Sequence, residues 1–431
     1  MMKWTLKKGS EKKFRYGHPW VFSSELAHSP KSLEAGTVVQ LFDQSGDFLA
    51  VGYGHPNSLI SFRALALEDV SIDADFFLKR FNEAAAVRET CGLGRVSHRF
   101  IFAEGDFLPG LIIDRYFLSH PVQSQVFVIQ LSTAGMDKLE KEILAGLKLW
   151  VNVHSAIKWE STAIVMANDS KSRAAEGLEV KAKALIKTIE GADGFAPENA
   201  EILIEAGFPQ GQPLRFSVDF IGGQKTGFFL DQRSNIRLAA PMVREMALKA
   251  KAEGRPLRVL DLFCYVGQWG AQFAEIAKSV GAEVQVTLCD SSQTALDLAK
   301  RNVEAQGAIV RAEKRDVVRE LVSLEQRSYD VVICDPPAFV KKKKDLETGV
   351  PAYMKLNREA SRRTRPGGVF ISCSCSGLFD EENFRVMLAK TATASEIPIR
   401  WVARGSHSAD HPQRPEFPQG TYLKSWIGVL N

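Results

Sequence analysis

The sequence predicts an α/β chain in which a C-terminal doubly wound domain follows a small β-rich barrel and a middle α+β region. Three observations carry this prediction. From residue 230 onward, strand-length apolar runs alternate with helix-length amphipathic runs, which implies parallel strands joined by right-handed helical crossovers. The first 75 residues hold short alternating segments cut by Gly, Asp, Ser and Pro turns. Between these regions, strands and helices follow one another without a regular repeat. At ~150 residues per domain, 431 residues allow about three domains, and 45% hydrophobic with 25% charged residues excludes a collagenous, low-complexity or disordered chain.

Taken in order, residues 37–42 and 48–52 read as strands of the barrel. Residues 76–90 have helical spacing, and 100–102 and 111–113 flank a turn containing Gly105, Asp106, Pro109 and Gly110, as in a hairpin. A strand over 126–131, a helix over 137–149 and a strand over 182–190 complete the middle region. The division is then 1–75, 76–226 and 227–431. In the last part, helices are expected over 234–251, 267–279, 292–306, 352–363 and 380–389. The intervening strands fall at 257–263, 283–290, 309–316, 329–334 and 368–373.

Several classes are set aside. The opening MMKWTLKKGSEKK runs from Met into lysines, and no apolar run approaches the ~18 residues of a membrane helix, so a cytoplasmic protein without membrane contact is expected. Six cysteines without a C-x-x-C pair are too sparse for a disulfide framework. Cys373 and Cys375 lack nearby partners for four-ligand zinc, so no metal is expected. The net charge of +4 is mild, but its distribution is uneven. Residues 1–15 carry six basic residues, including Lys7, Lys8 and Arg15, against the single acid Glu11. A second run, from Lys341 and Lys342 to Lys344, follows Asp335-Pro336-Pro337-Ala338-Phe339. Clustered cations gain affinity for nucleic acid by releasing counterions, although a lysine run is equally a solvated surface.

In open parallel sheets the ligand binds beyond the carboxyl ends of the strands. Here those ends carry Asp261 with Phe263 and Gly267, then Asp290, Asp316 and Asp335. Gly267 lets the loop approach a ligand backbone-first, and Asp290 is placed to accept hydrogen bonds from ribose hydroxyls. Glycines occur only at 267 and 270 in this loop, unlike the G-x-G-x-x-G of dinucleotide sites, and Asp261 would repel a pyrophosphate. An acid there suits a cationic ligand bearing an amino group, as S-adenosylmethionine does. Close packing of helix on sheet would also account for both glycines.

This segment resembles class I (Rossmann-like) methyltransferases that use S-adenosylmethionine, with Asp335-Pro336-Pro337 similar to their fourth motif. Gly222 to Arg233, Asp261 to Tyr265, Asp335 to Phe339 and Ser374-Cys375-Ser376-Gly377 together resemble the RlmI-type ribosomal RNA methyltransferases. Lys7-Lys8-Gly9 with Gly17-His18-Pro19-Trp20-Val21-Phe22 is similar to the start of that family's PUA domain, and Asp106 to Tyr116 to its middle-domain hairpin, so nearly the whole chain is covered. The resemblance implies formation of 5-methylcytosine in large-subunit ribosomal RNA. It also implies that Lys225, Thr226, Asp231 and Arg233 close over the cofactor, although a glycine-rich hairpin capped into a helix by Asp231 is the plainer account. His18 and Trp20 are candidate RNA contacts or, alternatively, a turn with an aromatic anchor.

Cytosine C5 is a poor nucleophile, and a thiolate added at C6 makes it enamine-like. The resemblance assigns that role to Cys375, with Asp335 orienting the base; by itself Cys375 would read as a small buried hydrophobe. Cys373 departs from the family pattern and is either packing or a reserve nucleophile. His407 and His411 are expected at the surface. Methylation of a guanine or adenine nitrogen, and a non-catalytic RNA-binding assembly factor, are the alternatives, and a homodimer is left open.

Overall fold

A computed structural model describes residues 2–192, 195–208, 211–395 and 397–431, which form two compact units. The first comprises residues 1–203, 219–228 and 409–420, and the second 204–218, 229–408 and 421–431.

The first unit holds two sheets. In one, Met2–Thr5 runs parallel to Val38–Phe42, followed in space by Phe48–Gly54, Ile60–Ala66 and Trp20–Phe22. Alternation along Val38–Phe42 buries Val39 and Leu41 against Trp4, Phe14 and Phe62. The other sheet is ordered Ala184–Lys187, Thr162–Met166, Gln125–Leu131, Leu111–Phe117, His98–Phe102. Thr162–Met166 runs parallel to Gln125–Leu131, with helix Glu140–His154 in the crossover. That strand escaped the sequence reading because its five residues are buried throughout and show no alternation. Helix Ala74–Thr90 begins where the Asp73 side chain accepts the Phe76 N–H at 3.0 Å.

These sheets share one apolar core, in which Val51, Tyr53 and Leu65 join Phe77, Phe81, Phe100 and Phe127. Buried polar groups are paired across it. The Tyr53 hydroxyl donates to Pro109 O at 2.7 Å, and Arg63 meets Glu176 at 2.7 Å. Arg88, fully buried, grips Asp106 through two bonds of 2.5 and 2.7 Å and also donates to Asp410 O at 2.8 Å.

The second unit is built on a seven-stranded sheet ordered Ile309–Lys314, Val284–Asp290, Leu257–Leu262, Tyr329–Cys334, Thr364–Ser374, Lys424–Leu430, Ile399–Gly405. The first five strands are parallel, as expected. The sheet is not wholly parallel, however, because Lys424–Leu430 pairs antiparallel with both Thr364–Ser374 and Ile399–Gly405. Sequence gave no sign of this hairpin, since a polar stretch from Ser406 to Tyr422 separates its strands. Helices Arg233–Ala252, Gln268–Ser279 and Gln293–Glu304 fall close to expectation, the last capped by Ser292. Helix Leu346–Ser361 starts earlier than predicted, carrying Pro351 inside its N-terminal half. Among the described residues, no helix is long and apolar enough to cross a membrane.

Candidate active site

The parallel strands of the second unit end at one edge, and the loops there gather the acids singled out by sequence. Asp261, the penultimate residue of strand Leu257–Leu262, is wholly buried. Its Oδ2 accepts the Gly270 N–H at 3.1 Å, while among the described residues Oδ1 meets no partner. Burial pushes this carboxyl up to about 8; the Gly270 N–H opposes the rise, and the charges of Asp335 and Asp290 add to it.

The following loop is wound tightly. Phe263, Tyr265 and Gly267 have φ of 62°, 48° and 79°, so two non-glycine residues are held in the left-handed region. The Phe263 and Cys264 N–H groups both donate to Cys289 O, at 2.8 and 3.2 Å. Asp290 fixes the loop from the neighbouring strand, accepting the Tyr265 N–H at 3.0 Å and the Ser292 N–H at 2.9 Å. A Cβ on Gly267 would sit 3.0 Å from Val303 Cγ2 and 3.1 Å from Ala299, so close helix packing and loop conformation both demand glycine.

Asp335 follows Tyr329–Cys334 and its Oδ2 accepts from Gln232 Nε2 at 2.8 Å and Trp269 Nε1 at 3.3 Å. Gln232 is itself oriented by Asn235, whose amide donates to it at 2.6 Å. Phe229, Gln232, Phe263, Tyr265, Trp269 and Asp335 line one cavity. A buried carboxylate oxygen awaiting a donor beside such a cavity fits the amino group of S-adenosylmethionine.

Cys375 lies one residue past Thr364–Ser374, half-buried, with Sγ 3.9 Å from Pro336 O. The serines around it are buried and anchored. Ser374 Oγ donates to the Tyr353 hydroxyl at 3.1 Å, which shares a 2.9 Å bond with Ser376 Oγ. Ser376 Oγ also accepts the Val340 N–H at 3.1 Å. These bonds tie the Asp-Pro-Pro loop to the Ser-Cys-Ser segment. Cys264, Cys289, Cys334 and Cys373 are buried, and burial raises each thiol. Cys373, fully buried, faces Ser425 Oγ at 3.4 Å.

Asp316 lies beyond its strand, half exposed, with Arg319 3.4 Å away. Asp231 accepts the Tyr422 hydroxyl at 2.6 Å, and Arg233 meets Glu205 at 3.7 Å. Lys225 is exposed in the first unit, with φ of 49°. Thr226, in the same unit, is fully buried and donates to Asp114 Oδ2 at 2.5 Å.

His18 and Trp20 pack within the first unit. Phe417 packs edge-on against both rings, and the Trp20 indole donates to Glu104 at 2.9 Å. Lys7, Lys8, Lys341 and Lys342 are exposed, and Arg15 is exposed beside Asp43 at 2.7 Å. His407 and His411 are buried, against expectation: His407 Nε2 accepts the Tyr422 and Leu423 N–H groups, and His411 pairs with Asp410 at 2.9 Å. Gln232, although inside the Gly222 to Arg233 segment, was given no role by sequence, nor were Trp269, Tyr353 and Lys424, because a lone polar or aromatic residue does not reveal its partner. Among the described residues, no group of three or more His, Cys, Asp or Glu could hold a metal ion.

A PUA-like domain family matches residues 5–67, and a methyltransferase domain family matches residues 254–414. Over 430 residues the chain is 32% identical to ribosomal RNA large subunit methyltransferase I of Photobacterium profundum, covering 98% of this chain and 97% of that one. The chain belongs to that family. Ribosomal RNA large subunit methyltransferase I of Erwinia tasmaniensis is likewise 32% identical, over 98% of this chain and 97% of its own. The fold is shared with a chain assigned as a SAM-dependent methyltransferase from Streptococcus mutans (TM-score 0.71, 20% identity, all of both chains). A methyltransferase structure complexed with SAH superposes similarly (TM-score 0.72, 20% identity, all of both chains).

Proposed function

We propose that the protein methylates C5 of a cytosine in large-subunit ribosomal RNA, with Cys375 as nucleophile. S-adenosylmethionine supplies the methyl group as an electrophilic carbon on its sulfonium. Asp261 would hold the donor's amino group, Asp290 its ribose hydroxyls, and Asp335 would orient and polarise the cytosine ring. The relatives named above are ribosomal RNA methyltransferases, which supports the substrate class. A division into a PUA-like part (1–75), a middle part (76–226) and a catalytic part (227–431) would assign RNA holding to the first two. Such a substrate also places the protein in the cytoplasm.

The observation carrying the cytosine reading is the contrast among thiols. Among the described cysteines of the second unit, Cys375 alone is half-exposed, at the strand edge beside Asp335-Pro336-Pro337, while the other four are buried. A nitrogen of guanine or adenine needs no thiol. Incubation with labelled S-adenosylmethionine and unmodified large-subunit ribosomal RNA, followed by nucleoside mass spectrometry, is expected to yield labelled 5-methylcytidine. Labelled guanosine or adenosine would refute the assignment. Cys375→Ala should keep donor binding and lose transfer, and RNA containing 5-fluorocytosine should trap an adduct on Cys375 in the wild type.

A further inference from the structure

Lys424 opens the strand Lys424–Leu430 and is paired in register with Ser374, the residue before Cys375. Its side chain is almost wholly buried, at 3% exposure. Nζ donates to Ser376 O at 2.6 Å and Tyr422 O at 2.8 Å, both neutral carbonyls. Among the described residues, no carboxylate reaches ion-pair distance of this ammonium. A cation taken out of water without an anion is costly, so an anion is expected close by. Burial lowers its affinity for the proton, bringing it to about 8, and Cys375 is the strongest of the groups restoring it, ahead of Glu381 and Asp380.

We propose that Lys424 is a positioning residue that keeps Cys375 in its thiolate form and receives it again at the end of each turnover, an inference that rests on the cytosine C5 reading above. In that cycle the Sγ–C6 bond forms as the C5=C6 electron pair moves onto C5. C5 then takes the methyl carbon while the donor's sulfonium C–S bond breaks. The C5 proton passes to water, its electron pair restores C5=C6, and the Sγ–C6 bond breaks to release thiolate. Lys424 stays an ammonium throughout and lowers the energy of the anion at both ends. The other titratable groups facing this corner are Tyr353 on helix Leu346–Ser361, Asp335 beside Pro336, and Asp380 with Glu381 at the start of helix Glu381–Ser395. The acids among them disfavour a thiolate, and the Lys424 ammonium opposes them.

The test is the pH profile of Cys375 alkylation by iodoacetamide on the full chain, read by mass spectrometry of the Cys375 peptide. The wild-type midpoint is expected below the ordinary thiol value of ~8.5. Lys424→Gln keeps N–H donors for the two carbonyls but removes the charge, and should raise the midpoint by at least about one pH unit, slowing alkylation at pH 7 about tenfold. Lys424→Arg should retain the wild-type profile. A wild-type midpoint at or above ~8.5 overturns the proposal without recourse to any variant. So does an unmoved profile in Lys424→Gln, or equal loss in Lys424→Arg. The assay needs neither RNA nor donor, so it separates the two readings. A low midpoint without 5-methylcytidine formation would sink the substrate assignment alone, and 5-methylcytidine formation with an ordinary thiol would sink Lys424 alone.

Discussion

Replacing Asp261 by Asn tests whether its carboxyl is held ready for a cation. The folded carboxyl titrates at about 8 against an ordinary 3.8, because burial penalises the anion. The folded state therefore binds this proton more tightly than the unfolded chain does. The stability this confers is full below about pH 4 and is lost as pH rises towards 8. At 1.36 kcal/mol per pH unit, the displacement sets a ceiling of about 6 kcal/mol above pH 8. Asn is neutral at every pH and nearly isosteric. At pH 3.5 it resembles the protonated acid, since each places a donor group, an NH2 or an O–H, where Oδ1 has no partner. Thermal unfolding without donor should thus give similar midpoints for wild type and Asp261→Asn at pH 3.5, below the unfolded value. At pH 8.5 the variant should be more stable by at least about 2 kcal/mol, or roughly 4–8 °C. Calorimetric titration should show the opposite for the donor, whose affinity falls more than about tenfold with loss of a charge-assisted bond. Equal or lower stability of the variant at pH 8.5, with parity at pH 3.5, would refute the reasoning.

Gly267→Ala should cost about 1–3 kcal/mol in thermal unfolding and weaken donor binding, since φ is 79° and Val303 Cγ2 lies 3.0 Å from the new Cβ. Asp106→Ala strands the fully buried Arg88 guanidinium and should destabilise the first unit by about 3–5 kcal/mol in urea unfolding. Lys341→Glu with Lys342→Glu, both exposed, should weaken RNA binding and reduce its log-salt slope by about 2, leaving donor affinity unchanged.

The alternation of strand and helix after residue 230 was legible because each parallel strand is a short apolar run bounded by turn residues. Tyr329–Cys334 matches expectation residue for residue, and Val284–Asp290 to within one. The acids at the strand ends were legible too, since topology alone places them at one edge. Thr162–Met166 was not, being buried on both faces, nor were the antiparallel strands Ile399–Gly405 and Lys424–Leu430, whose pairing is long-range.

By itself the sequence determined the parallel strand and helix alternation of the second unit, the loop at Gly267 and the placing of Asp335 and Cys375 on one edge, because backbone period and strand direction fix them. Burial and partner choice were decided only by tertiary structure. It gave Thr226 to Asp114, turned His18 and Trp20 towards Phe417, and brought Lys424 from the far end of the chain to the residue beside Cys375. Those outcomes depend on which surfaces close over a side chain, and local sequence carries no information about contacts made tens or hundreds of residues away.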